Sequence, residues 1–163
     1  MPTDPADQRS PSRRTATPAL GPLPDAPCEA VVVCCVDHRF AQAHQEHARR
    51  TLGEQPAAWF MVPGGPAALT PKADEALWRS FRFVLEALAP KRALLMAHDR
   101  CAYYLQALGA TAASLRSRQE RDLHEAAQRI VAARPAIVVE RALLQVVDGC
   151  VAAAAPLGCA GEA

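Results

Sequence analysis

The run Ala30-Val31-Val32-Val33-Cys34-Cys35-Val36-Asp37-His38-Arg39 decides how this chain folds. Ala30 to Val36 contains only small or β-branched apolar residues, with no polar interruption. That is the pattern of a strand buried on both faces, as in a parallel sheet. The run then stops at an acid, a histidine and an arginine. Side chains alternate along a strand, so Cys35, Asp37 and Arg39 are expected on one side and Cys34, Val36 and His38 on the other. A thiol, a carboxylate and a guanidinium would thus converge at one strand end.

Downstream, strands and helices alternate. Phe40 to Leu52 is polar and apolar at helical spacing and is closed by Gly53. Ala57 to Val62 predicts a second strand, ended by Pro63-Gly64-Gly65-Pro66. Asp74 to Leu88 is amphipathic, with Leu77, Phe81, Val84, Leu85 and Leu88 on one face, and stops before Pro90. Arg92 to Ala97 is a third apolar strand. One helix is expected from about Cys101 and another from Ser114 to Arg134, ended by Pro135. Ile137 to Val147 reads as a final strand with a bend at Glu140-Arg141. The order predicts an α/β domain: a parallel-sheet core flanked by helices on both faces. Sites in such sheets lie at the carboxyl ends of strands, which directs attention to the ends of the first and third.

The third strand runs into Met96-Ala97-His98-Asp99-Arg100-Cys101. His98 and Cys101, three apart across a strand-to-helix turn, can meet on one ion. With Cys35 they form a Cys₂His set, three ligands and an open position, the pattern of catalytic zinc. Zinc would hold both sulfurs as thiolates, favoured by the adjoining helix N-terminus. Two thiolates leave the site formally neutral, so the ion is a weaker Lewis acid than with three imidazoles, and its bound water needs help to lose a proton. Asp37, held by Arg39, can accept a hydrogen bond from that water. It can equally take the fourth metal position and close the site; the sequence leaves both states open.

Cys35-Val36-Asp37-His38-Arg39 and His98-Asp99-Arg100-Cys101 together resemble the paired C-x-D-x-R and H-x-x-C motifs of the β-class carbonic anhydrases. Ala102-Tyr103 after the second motif is similar to a short, divergent group of that family, and the likeness spans roughly residues 30–150. The resemblance implies a zinc lyase that interconverts carbon dioxide and bicarbonate, with zinc-bound hydroxide as the attacking group. It implies Asp37 and Arg39 as the catalytic dyad and a homodimer or higher homo-oligomer as the assembly. The chain departs from the family after the second strand, where Met61-Val62-Pro63-Gly64-Gly65-Pro66 replaces a polar loop. Gly64 and Gly65 can still bring backbone N–H groups up to a substrate or to the dyad. The departure keeps two other readings alive: hydrolysis of carbonyl sulfide or carbon disulfide, and a non-catalytic zinc-binding or bicarbonate-sensing module. Thiol redox chemistry at Cys34-Cys35 is a third.

Bulk properties narrow the classes. The 163 residues suit one domain with a real core, and with 50% apolar but only 5% aromatic residues that core is built from Ala, Leu and Val. A net charge of +1 gives no electrostatic case for nucleic acid or an anionic membrane. No apolar run is long enough for a bilayer, and no apolar signal-like stretch precedes Ala30, so a cytoplasmic protein is expected. Residues 1–27, rich in Pro, Ser, Thr and Arg, are expected to form a disordered tail, residues 28–151 the zinc-binding domain, and residues 152–163 a flexible tail. Cys34 is expected in the core, one of Tyr103 and Tyr104 buried, and His38 and His124 at the surface. His44 and His47 are assigned to a solvated helix face. Cys28, Cys150 and Cys159 show no partner pattern.

Overall fold

A computed structural model describes residues 27–153. Five strands make one sheet: β1 (Ala30–Cys34), β2 (Ala57–Met61), β3 (Arg92–His98), β4 (Val138–Val147) and β5 (Cys150–Ala153). Their order is β2-β1-β3-β4-β5. The pairs β1–β2, β1–β3 and β3–β4 are parallel, as the alternation of elements predicts, and β4–β5 is antiparallel.

Helix α1 (Ala41–Leu52) covers one face of the sheet, and α2 (Glu75–Leu88) and α3 (Leu115–Ala133) belong to the other. The strand period sorts the core between them. Val31, Val33, Ala93, Leu95 and Ala97 pack with Phe81, Leu85, Leu123 and Ile130 of α2 and α3. Ala30, Val32, Cys34, Leu94 and Met96 pack with Ala48 and Leu52 of α1. Asp74 caps α2 by accepting a 2.7 Å hydrogen bond from the Ala76 N–H, satisfying one of the donors a helix start leaves free.

Three expectations are corrected. The helix foreseen from Cys101 is a single wide π-type turn, Tyr103–Ala107, before a loop leads to α3. β4 runs unbroken through Glu140-Arg141. The last strand is followed by a hairpin: Asp148 (φ 50°) and Gly149 (φ 77°) are both left-handed, the two-residue turn that matches strand twist, and an Asp-Gly pair is its sequence signal. Ala152 and Ala153, placed by sequence in a flexible tail, pair with Gln145 and Leu144 in β5. Residues 1–26 and 154–163, and with them nearly all of both expected tails, lie outside the described residues. Among those described, no helix is long and apolar enough to cross a membrane.

Connections from β1 and β3 leave in opposite directions along the sheet, so the switch in strand order falls between these two neighbours. Crevices at such points, beyond the carboxyl ends of the strands, are where parallel sheets bind ligands. The core beneath must hold this geometry. Phe81, fully buried and edge-on to Phe60 at 5.2 Å between ring centroids, anchors α2 to β2. Phe81→Ala is expected to cost about 3–5 kcal/mol, read as a lowered midpoint in urea unfolding.

Candidate metal centre

β1 ends at Cys34, one residue before the thiol of interest, and the chain turns at once. Asp37 caps a 3₁₀ turn, His38–Phe40, by accepting a 3.1 Å hydrogen bond from the Arg39 N–H. The strand-alternation argument for grouping Cys35, Asp37 and Arg39 thus does not apply; the turn brings them together instead. Arg39 Nε donates to Asp37 Oδ1 at 2.9 Å and Nη2 to Oδ2 at 2.6 Å, a fork-on-carboxylate pair. Nη2 also donates to the Arg100 carbonyl at 3.2 Å, tying the end of β1 to the turn after β3. The Arg39 guanidinium holds the Asp37 carboxyl below the usual carboxylate range.

Cys35, His98 and Cys101 meet. Their ligand atoms all lie within 4.8 Å of one another, and the two sulfurs are 3.9 Å apart. The residues are buried, with exposures of 4%, 1% and 1%. Alternation explains how: His98 belongs to the same face of β3 as Leu94 and Met96, whereas Cys35 joins Ala67, Tyr104 and Leu115 on the other side. The ligand atoms therefore close over the end of the sheet rather than over one face.

The protonation pattern suits a cation. His98 Nδ1 lies 2.8 Å from the Asp99 carbonyl, which can only accept, so in the neutral ring Nδ1 carries the proton and Nε2 offers a lone pair. That Nε2 is buried and has no hydrogen-bond partner. A buried polar atom left so is costly unless something occupies it. Cys35 is driven down, first by the hydrogen bond from the Cys101 thiol and then by its polar backbone surroundings at Asp37 and Gly64. Cys101 is driven up because it keeps the shared proton and is buried. A metal ion held here would replace that proton with a charge shared by both sulfurs. Two sulfurs and one imidazole form a set that can hold a metal, and Asp37 is outside it, engaged by Arg39.

A cleft of about 490 Å³ leads to the sulfurs. Cys35, Cys101, Asp37 and Arg39 line it together with apolar Val36, Pro63, Ala102 and Ala107. Gly64 and Gly65 lie behind this wall. A Cβ on Gly65 would meet the Cys34 carbonyl carbon at 2.9 Å, so its lack of a side chain lets the loop lie on β1.

Cys34 packs beneath α1, and burial pushes its thiol up to about 12. It points away from Cys35, and the thiol near Cys35 is Cys101. His38 and His124 are exposed, as expected. His44 is not on a solvated face: it is fully buried, on the same helix stripe as Ala48 and Leu52, a spacing of four that the sequence already carried. Its ring stands edge-on to His98 at 5.8 Å, and Phe40 lies 4.1 Å from the His98 ring. Gln119 of α3, not foreseen, donates to the His98 carbonyl at 2.7 Å. Tyr104 is the buried tyrosine. Cys159 lies outside the described residues.

Neither a family model nor a curated protein sequence matches the chain. Solved structures do. β-Carbonic anhydrase isoform I from Trichomonas vaginalis aligns at a TM-score of 0.52 and 14% identity, over 83% of this chain and 87% of that one. A carbonic anhydrase from Glaciozyma antarctica aligns at 0.52 and 17%, over 82% and 86%. The β-carbonic anhydrase CafD of Aspergillus fumigatus aligns at 0.52 and 8%, over 89% and 94%. The chain has the β-carbonic anhydrase fold. At these identities the likeness is one of fold, and the chemistry rests on the residues above.

The Asp37–Arg39 pair gives a defined acid response. The folded-state pKa of Asp37 lies below the ordinary value, so its contribution to stability is complete above the ordinary carboxylate pKa of about 3.9 and is lost as pH falls through the lower folded value. Arg39→Ala is expected to return Asp37 toward that ordinary value, seen as an upward shift in its carboxyl-carbon NMR titration.

Proposed function

We propose that this protein is a zinc lyase of β-carbonic anhydrase type that interconverts carbon dioxide and bicarbonate. The observation that carries the reading is the convergence of Cys35, His98 and Cys101, with the His98 Nε2 unpartnered, on a cleft shared with a formed Asp37–Arg39 pair. Cys35, His98 and Cys101 would hold the ion. Bound zinc supplies a water activated toward deprotonation near neutral pH.

This chain's own residues do the rest. Asp37, kept anionic by Arg39, is an acceptor only, so it orients a nucleophile through that nucleophile's own proton and rejects groups that offer a lone pair. Arg39 keeps the carboxylate off the metal by occupying both of its oxygens. Val36, Pro63, Ala102 and Ala107 make a water-poor wall suited to a small uncharged substrate. Gly64 and Gly65, assigned from sequence to substrate binding, serve this reading better as the strap behind Cys35. The same apolar wall favours carbonyl sulfide or carbon disulfide as the second reading. A non-catalytic zinc or bicarbonate-sensing module gives no reason for the Asp37–Arg39 pair.

The proposal extends to a homodimer. β2 is an edge strand, and Trp59 and Met61 on it, with Val36 at the cleft mouth, are 41%, 44% and 48% exposed. Such an edge needs cover. Trp59→Glu is expected to convert a dimer into a monomer in light scattering; a wild-type monomer would remove the dimer.

The function is tested on one purified sample, for zinc content and carbon dioxide hydration between about pH 7 and 9. About one zinc per chain and hydration above the buffer rate are expected. Cys101→Ala should lose both. Asp37→Ala should keep zinc and lose about two to four orders of magnitude in turnover; unchanged turnover would sink its role. Zinc without hydration would move the substrate to the sulfur analogues, and no zinc would remove the reading.

A further inference from the structure

Gly64 adopts a left-handed conformation, φ 75°. A Cβ built on it would lie 2.4 Å from Cδ1 and 2.9 Å from Cε1 of Tyr103. The tyrosine ring is thus seated directly against the Gly64 backbone, in a contact only glycine permits. The Gly64-Gly65 strap lies on the end of β1: the Val62 N–H donates to the Cys34 carbonyl at 3.2 Å, and a Cβ on Gly65 would stand 2.9 Å from the Cys34 carbonyl carbon and 3.0 Å from the Cys35 nitrogen. Tyr103 lies two residues beyond Cys101 and opens the π-type turn. It is half-buried and packs against the cluster that contains both cysteines. Its ring also forms part of two walls. One belongs to the cleft at Cys35, Cys101 and Asp37, the other to a second cavity of about 260 Å³ beside Thr70, Arg118 and Asp122.

We propose that Tyr103 is a positioning residue of the metal centre: held two residues beyond Cys101, its ring clamps the Gly64-Gly65 strap onto the backbone of Cys34 and Cys35, so one residue fixes how the two sulfurs stand to each other. The inference rests on the metal-binding reading of Cys35, His98 and Cys101. Groups that orient metal ligands are typically worth about 10–100-fold in affinity. The contact is made by ring carbons, so the ring matters and the hydroxyl does not. Without the ring, the left-handed Gly64 loses the surface that holds the strap against the end of β1. The partition between cleft and second cavity opens with it.

The test uses full-length protein and two readouts other than turnover. Zinc affinity is measured by competition with a chromophoric chelator. The thiolate-to-cobalt absorption band is recorded on the cobalt(II)-substituted protein. Tyr103→Phe is expected to stay within about threefold of wild type with an unshifted band. Tyr103→Ala and Tyr103→Leu are expected to bind zinc about 10–100-fold more weakly with a shifted band. Leu keeps much of the buried bulk and stands in where Ala does not fold. Wild-type affinity and band in either folded variant would overturn the proposal, as would a Tyr103→Phe protein as weak as Tyr103→Ala. A wild-type protein that takes up no zinc defeats the metal reading itself. Wild-type uptake with indifferent Tyr103 variants defeats the positioning role alone.

Discussion

The parallel pairing of β1 with β3 is the constraint on which the site depends. The register sets Val33 opposite Leu95, so the chain leaves β1 through Cys35 beside the place where it leaves β3 through His98. β2 lies on the far side of β1, and the connection from β2 must cross over through α2 to reach β3. Among the described strands no other adjacent parallel pair has its connections diverging in that way, and the gap it leaves is where Cys35, His98 and Cys101 gather. A slip of one residue in this pairing would reverse every side chain and separate the imidazole from the thiols.

Placing two sulfurs and an imidazole in a nearly dry position has a cost that the surrounding groups offset. The two sulfurs share one hydrogen bond at 3.9 Å, and the Asp99 carbonyl accepts from the neutral His98 ring at 2.8 Å. Gln119 and Phe40 hold His98 from α3 and from the turn after β1. The unpartnered Nε2 is the residue of that balance, a polar atom that the protein alone leaves unsatisfied. Elements remote in sequence thus converge on three side chains, which is the design expected where ligand orientation must survive thermal motion.

Much of this was legible in the chain itself. Uninterrupted runs such as Ala30 to Val36 and Arg92 to Ala97 announce buried parallel strands because a strand covered on both faces has no polar side. The spacings Cys35-x-Asp37-x-Arg39 and His98-x-x-Cys101 name the candidate residues, and the fold brings them together. Other features were written but missed. Asp148-Gly149 is a hairpin signal, and the spacing of His44 with Ala48 and Leu52 marks a buried histidine. Gln119 carried no signal, because a polar residue on a helix is read as solvated until the strand end it meets is known.

The sequence by itself determined the order of the four parallel strands and of α1, α2 and α3, the two-sided burial of the sheet, and the candidate site residues, because these follow from local periodicity and side-chain type. Tertiary structure decided which lone pairs are free and which are taken. It put the Asp37 carboxylate on Arg39 rather than among the sulfurs, turned Cys34 into the core beneath α1, seated Tyr103 on Gly64, and made β5 antiparallel. Each of these depends on distances between groups far apart along the chain, and periodicity carries no such distances.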